Sequence, residues 1–244
     1  MRIAFITDPH IGAEGEKPMG VDVRQNFLQA LAHLEHIRPN GLVIGGDICY
    51  QAGDRETYTW VKELLSGLPF PHYIISGNHD DSVLMAEVFG RSNFLTGSEL
   101  YYALPLEGHP ALFLDSSKGQ FSAKQWAWLR EYLLALRDNN VLVFMHHPPL
   151  PADVAFMDAH HPFLQTEQFL SLVRELPCHV TVVCGHYHVD KVVQRGNLLT
   201  LLSPSTYYQM KQDSDGFAVD HYRVGVREIN LDTHGTTSTV HYIG

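Results

Sequence analysis

Five short apolar runs in this chain each end in a polar cluster of the same character. Residues 2–7 run into Asp8-Pro9-His10, 41–45 into Gly46-Asp47, and 72–76 into Gly77-Asn78-His79-Asp80. Residues 141–145 run into His146-His147-Pro148-Pro149, and 179–184 into Gly185-His186-Tyr187-His188. An apolar run of this length, stopped by turn residues, predicts a strand buried on both faces. Helical spacing fills the gaps. Phe27, Leu31, Leu34 and Ile37 mark one helix, and Trp126, Leu129, Leu133 and Leu136 mark another. Further helices are predicted over 55–66, 82–89 and 165–175, with strands near 101–104 and 111–114. After His188 the pattern changes to short β segments at hairpin spacing: 190–195, 198–202, 217–224, 226–232 and 236–242.

This alternation predicts an α/β fold in one domain spanning 1–244, with a β-rich C-terminal third. The Gly-rich, acidic loop 12–22 and the polar loop 203–216 are candidate rim loops. Composition narrows the partners. Hydrophobic residues make up 45% and charged residues 18%, which suits a packed soluble domain. A formal net charge of −10 repels polyanions, so long nucleic acid is not expected. No apolar run approaches membrane-spanning length, and the N-terminus reads as a first strand, not a signal peptide. The three cysteines, Cys49, Cys178 and Cys184, have no disulfide or zinc spacing. A reducing, cytoplasmic setting is the expectation. Self-association is left open.

Sixteen histidines are the unusual count. In layered α/β folds the carboxyl ends of strands share an edge, where ligand sites gather. The five clusters would therefore converge Asp8, His10, Asp47, Asn78, His146, His186 and His188. Oxygen and imidazole donors without thiolate favour a hard-to-borderline divalent ion over structural zinc. Seven donors exceed what one ion needs, and a shared carboxylate would divide them between two. Two ions roughly 3.5–4 Å apart can clamp a phosphoryl group and ionise water.

The ordered set Asp-x-His, Gly-Asp, Gly-Asn-His-Asp, His-x-Pro and Gly-His-x-His resembles the signature of the calcineurin-like metallophosphoesterases. It extends over residues 8–188, about three quarters of the chain. The resemblance implies a four-layer α-β-β-α sandwich of two mixed sheets flanked by helices. It implies that Asp8, His10 and His188 hold one metal and Asn78, His146 and His186 a second, with Asp47 bridging. It makes His79 a catalytic group at the scissile phosphate, protonating the leaving oxygen or binding a phosphoryl oxygen, and Asp80 the residue that orients His79. The metals implied are iron, manganese, zinc or cobalt, and a hydroxide attacks phosphorus in line with the leaving group.

Softer motifs point to a subgroup. His146-His147-Pro148-Pro149, Leu114-Asp115-Ser116-Ser117, Gln125-Trp126-x-x-Leu129 and Ser203-Pro204-Ser205-Thr206 resemble class III cyclic-nucleotide phosphodiesterases and bacterial glycerophosphodiesterases. A small phosphodiester is then the expected substrate, with a 3′,5′-cyclic nucleotide such as cAMP favoured. Glycerophosphodiesters and phosphomonoesters are the alternatives, and a non-catalytic metal-binding protein is the non-enzyme reading. The stretch from Asp115 to the next helix is short for this subgroup, and no cap insertion follows Gly185. Both departures touch the substrate rim.

Plainer readings exist for each residue. Asp8 has the type of a helix cap and Asn78 that of a turn residue. His147 is expected to pack beside His146. His33, His36, His160, His161 and His234 carry no pattern, and Cys49 reads as a small buried hydrophobe. Trp126 and Trp128 are expected to pack about a helix, and Tyr207 and Tyr208 to line the site or fill a loop. His186-x-His188-x-Asp190 matches part of the metallo-β-lactamase signature, but Lys191 stands where that family has His. A helical HD-type phosphohydrolase, suggested by His79-Asp80, conflicts with the strand content.

Overall fold

The computed structural model describes residues 1–136, 140–232 and 235–244. His234 lies outside the described residues. The chain opens with β1 (Arg2–Ile6), α1 (Val23–Ile37), β2 (Gly41–Ile44), α2 (Arg55–Ser66), β3 (His72–Ile74) and α3 (Ser82–Val88). Two-residue strands β4 (Leu95–Thr96) and β5 (Glu99–Leu100) precede the hairpin β6 (Tyr102–Leu106) and β7 (His109–Phe113). Then come α4 (Ala123–Ala135), β8 (Asn140–Phe144), α5 (Ala155–His160), α6 (Thr166–Arg174) and β9 (His179–Cys184). The chain closes with β10 (Lys191–Arg195), β11 (Leu198–Leu202), β12 (Gln209–Met210), β13 (Val219–His221), β14 (Val224–Asp232) and β15 (Gly235–Ile243).

Helix starts follow their cap residues. Asp22, Asp54 and Ser122 each accept a hydrogen bond from the backbone N–H three residues on, at Gln25, Thr57 and Gln125. Asp81 does the same for Val83 and Leu84. Each cap satisfies an N–H that the helix itself leaves unpaired.

Two mixed sheets form the centre. One has the order β15-β14-β1-β2-β3 and the other β10-β11-β9-β8-β7-β6. The strands ending in polar clusters run parallel: β1 beside β2 beside β3, and β8 beside β9. The C-terminal β segments make up the β-rich last third that the spacing predicted. They divide: β11 pairs with β9, whereas β14 pairs antiparallel with β1. A hairpin buries its apolar face wherever an open sheet edge accepts it, and the pattern within the hairpin does not say which edge. Two differences are local. The expected 217–224 strand is split, with 219–221 in β13 and Val224 opening β14, and 155–160 form a helix that the sequence reading missed.

Alternation along the inner strands shows why these segments are strands. Val141 and Val143 of β8 pack with Trp126, Leu129, Leu133, Phe169 and Val173 of the helices, while Leu142 and Phe144 face the other sheet. Successive side chains point to opposite faces, so a strand apolar at every position is covered on both. Between the sheets, rings stack in a column. Tyr102 lies on Phe113 at 4.6 Å, Phe113 on Phe144 at 5.2 Å, and Phe144 on Phe5 of the opposite sheet at 6.0 Å. The expected four-layer arrangement is observed. Among the described residues, no helix is long and apolar enough to cross a membrane.

Candidate metal centre

The carboxyl ends of β1, β2, β3, β8 and β9 bring the expected residues to one edge from both sheets. The loops there are stitched together through the backbone. Asp8 N–H donates to the Gly46 carbonyl, His10 N–H to Asp47, and Gly185 N–H to His146. Asp8, His10, Asp47, His186 and His188 all have left-handed backbone φ, between 45° and 66°. For residues other than glycine this conformation costs on the order of 1–3 kcal/mol each. It persists because the stitching holds it, and it aims side chains that ordinary strand ends would splay apart. Two glycines allow the close approach. A Cβ on Gly77 would overlap the Asp47 carboxylate, and one on Gly185 would overlap the Asp8 carboxylate.

The donor atoms fall into groups small enough for an ion. Asp8, His10 and His188 form one, and Asp47, His146 and His186 another, each with donor atoms within 4.8 Å of one another. A third such group, His10, Asp47 and His79, overlaps both. Asp47 Oδ2 lies 3.4 Å from His146 Nε2, 3.7 Å from His10 Nε2 and 4.0 Å from His79 Nε2. Asp8 Oδ1 lies 3.2 Å from His188 Nε2. Asn78 is exposed and lines the same cleft as His10, Asp47 and His79.

Three histidines are fixed in tautomer by backbone carbonyls, which can only accept. His146 Nδ1 lies 2.8 Å from the Gly45 carbonyl, and His188 Nδ1 is 3.1 Å from that of Tyr208. His186 Nε2 is 3.1 Å from the His161 carbonyl. Each of these nitrogens must carry the proton. The opposite nitrogens, Nε2 of His146 and His188 and Nδ1 of His186, are left as lone-pair donors. This is how protein scaffolds orient metal-binding imidazoles. His10 Nδ1, His79 Nδ1 and His146 Nε2 are buried without a hydrogen-bond partner. Buried polar atoms are normally satisfied. Of the three nitrogens, His146 Nε2 lies 3.4 Å from Asp47 and 3.7 Å from Asp8, and an orphaned nitrogen between two buried carboxylates fits a divalent cation.

The electrostatics agree. Burial holds His10 and His186 down to about 3, so both are neutral as metal binding requires. Burial would also lower His146, but Asp47 and Asp8 push it up to about 10, so its Nε2 holds a proton between the two carboxylates that a bound ion would displace. Burial raises the carboxyls of Asp8 and Asp47, yet the facing histidines outweigh it and hold both below the usual range. The pocket favours positive charge between its carboxylates.

Asp80 departs from its expected contact. Its carboxylate does not reach His79, whose Nδ1 has no hydrogen-bond partner. It accepts from the backbone N–H of Ile48 and Gly77 and from the Tyr58 hydroxyl. Asp80 thus ties the loop after β2 to the loop after β3, and burial followed by Asp47 raises it to about 6. His79 is instead fixed by its backbone N–H, which donates to Asp47 Oδ1 at 2.8 Å. His147 packs as expected, 4.0 Å from the His186 ring. Ser116, from the softer Leu114–Ser117 motif, accepts from the N–H groups of both His146 and His147.

A cleft of about 390 Å³ opens over these groups, walled by Phe156, Met157, His161, Tyr208, Met210 and Phe217. The sequence reading assigned no role to His161, yet its carbonyl fixes His186. Its only signal was proximity to the missed helix α5. The 203–216 loop supplies part of this wall, as a rim loop should. The 12–22 loop lines a separate cavity with Arg24 and Tyr50. Cys49, Cys178 and Cys184 are buried and form no disulfide.

Comparison with known proteins now has a geometry to meet. The sequence profile of the family described as calcineurin-like phosphoesterase matches residues 1–190. A 3′,5′-cyclic-nucleotide phosphodiesterase of Nostoc sp. is 31% identical over 97% of this chain and 90% of its own length. A glycerophosphodiester phosphodiesterase of Enterobacter lignolyticus is 32% identical over 86% of this chain and 79% of its own. Among solved structures, a GAP50 protein of Plasmodium superposes with a TM-score of 0.62 at 12% identity, covering 98% of this chain and 84% of that one. That likeness concerns the fold alone. The match over most of the chain, with the motif residues gathered at one edge, shows that the protein belongs to the calcineurin-like phosphoesterase family and is a phosphoric ester hydrolase.

Proposed function

We propose that the protein is a binuclear-metal phosphodiesterase for small diesters, with 3′,5′-cyclic nucleotides favoured. The observation that carries this reading is the position of Asp47 Oδ2, which faces histidines of both donor groups. Asp8, His10 and His188 would hold one ion and Asn78, His146 and His186 the other, with Asp47 shared. Bound divalent ions would neutralise phosphoryl oxygens and lower the pKa of water. Iron, manganese, zinc and cobalt all suit the donors.

The chain's own residues supply the rest. His79 reaches into the cleft with its side chain 35% exposed. From there Nε2 can donate to a phosphoryl oxygen or to the departing alkoxide. Asp80 acts one step away, through the two loops it ties. Tyr208 and Phe217 lie 5.7 Å apart in the cleft wall and offer flat apolar surfaces to a base. The relatives carry both cyclic-nucleotide and glycerophosphodiester names, so a glycerophosphodiester is the second reading. Buried reduced cysteines support a cytoplasmic setting.

The test compares bis(p-nitrophenyl) phosphate, p-nitrophenyl phosphate and cAMP, each with and without Mn²⁺. Mn²⁺-dependent cleavage of the diester and of cAMP is expected. Cleavage of the monoester alone would overturn the diesterase reading. His79→Ala should keep its metal and lose roughly 10²–10⁴ in kcat, with a smaller loss for nitrophenolate than for alkoxide leaving groups. An equal loss for both would assign His79 to phosphate binding.

A further inference from the structure

We infer that Arg227, in the C-terminal hairpin beyond the family match, is a positioning residue for the Asp8–His10–His188 donor group. Arg227 lies on β14 with its side chain only 2% exposed. A guanidinium cannot shed its charge, so burying it is costly unless every donor finds an acceptor. Here the acceptors are specific. Nε donates to Ser203 Oγ at 2.9 Å, Nη1 to Ser238 Oγ at 2.7 Å, and Nη2 to Asp190 Oδ1 at 2.7 Å and to the Leu202 carbonyl.

Two of these acceptors flank the donor loop. Asp190 follows His188 by two residues. Ser203 N–H donates to the Cys184 carbonyl, just ahead of the Gly185-His186 turn. Ser203 also begins the segment that braces the first group. Ser205 Oγ donates to the Asp8 carbonyl at 2.7 Å. The Tyr208 carbonyl fixes His188 Nδ1, and Met210 N–H donates to the His188 carbonyl. Arg227 therefore joins the first sheet, through β14 and Ser238, to the start of the brace and the end of the donor loop. The second group shares one tie with the first, since His186 N–H donates to the Asp8 carboxylate at 3.0 Å, but its imidazoles rest on other acceptors. His146 rests on Gly45 and Ser116, and His186 on the His161 carbonyl. The two groups should thus respond differently when the clamp is cut.

The inference rests on the two-ion reading above, and the experiment separates them. Mn²⁺ is titrated calorimetrically into metal-free wild type, Arg227→Met and Arg227→Lys, with melting curves of each apoprotein. Wild type should bind two ions. Arg227→Met should keep one at wild-type affinity and bind the other 10–100-fold more weakly, the usual cost of losing an outer partner of a metal ligand. Arg227→Lys should recover part of that loss. Two ions bound at wild-type affinity in Arg227→Met would overturn the inference. So would equal weakening of both in step with a lowered melting temperature. A wild type that binds a single ion would overturn the two-ion reading instead. If Arg227→Met does not fold, Asp190→Asn decides, since it keeps an acceptor and removes the charge. It should weaken one ion several-fold, and unchanged binding of both would sink the inference.

Discussion

The space between the sheets and the edge where the polar clusters gather were built by opposite rules. Between the sheets, Phe5, Phe113, Phe144 and Tyr102 stack with apolar neighbours, and Phe5, Phe113 and Phe144 are fully buried. At the edge, five side chains hang from left-handed backbone, two carboxylates are buried side by side, and three imidazole nitrogens lack partners. The core lowers the free energy of the chain by itself. The edge raises it, and the surrounding stitching supports the difference. What the edge lacks in stability, a bound cation returns through linkage.

The largest expected effect comes from removing the carboxylate proposed to serve both donor groups. Asp47→Ala should abolish binding of both ions and reduce turnover to background. It should also erase the rise in melting temperature that Mn²⁺ gives the wild type. Mass action sets the underlying stabilisation at about 2.7 kcal/mol per site when Mn²⁺ stands at 100 times its Kd. Retention of two ions by metal analysis would break the bridging role. The core should behave in the reverse way. Phe144→Ala removes a ring packed between Phe113 and Phe5 and should cost about 3–5 kcal/mol. That loss should be the same in the metal-free and metal-loaded protein, read from urea unfolding of each. A loss that depends on metal would mean that core and edge are coupled and the comparison drawn above is wrong.

Legibility in the sequence follows the same division. The strands and helices of the inner layers were readable because a doubly buried strand is apolar at every position and a covered helix repeats every three to four. Helix α2 and strands β9 and β11 begin and end where the pattern predicts. The gathering of Asp8, His10, Asp47, His146, His186 and His188 at one edge was readable because each polar cluster follows an apolar run. What could not be read depends on partners distant in sequence. Nothing in Asp80's surroundings announces that its carboxylate will meet Ile48 and Tyr58 and not His79. Helix α5 is only six residues with one buried side chain, too short for a period to show. The tautomers of His146, His186 and His188 depend on carbonyls brought near only by folding. Arg227, next to Glu228 in a strand of mixed polarity, offers no hint that four acceptors wait for it.

The smallest expected effect tests whether histidines as such, and not their place at the edge, create sensitivity. His33 and His36 on α1 stand 5.3 Å apart by ring centroid, and His241 on β15 stands 5.0 Å from His33. Glu228 and Arg2 face this cluster, with Glu228 accepting from His241 Nε2 at 3.0 Å. Burial, then His241 and His36, lowers His33 below its usual value. The unfolded chain therefore takes up this proton first as pH falls. The stability tied to neutral His33 is fully present above about pH 6.5 and is lost as pH drops towards the lower folded value. His33→Gln should flatten the pH dependence of unfolding below about 6.5 by a few tenths of a kcal/mol, since the group is only partly buried and solvent screens it. The flattening should be unchanged when Mn²⁺ is present, because none of these three histidines belongs to the donor groups at the edge. A change that vanished with Mn²⁺ would tie α1 to the metal edge and extend the strained region well beyond the donor loops.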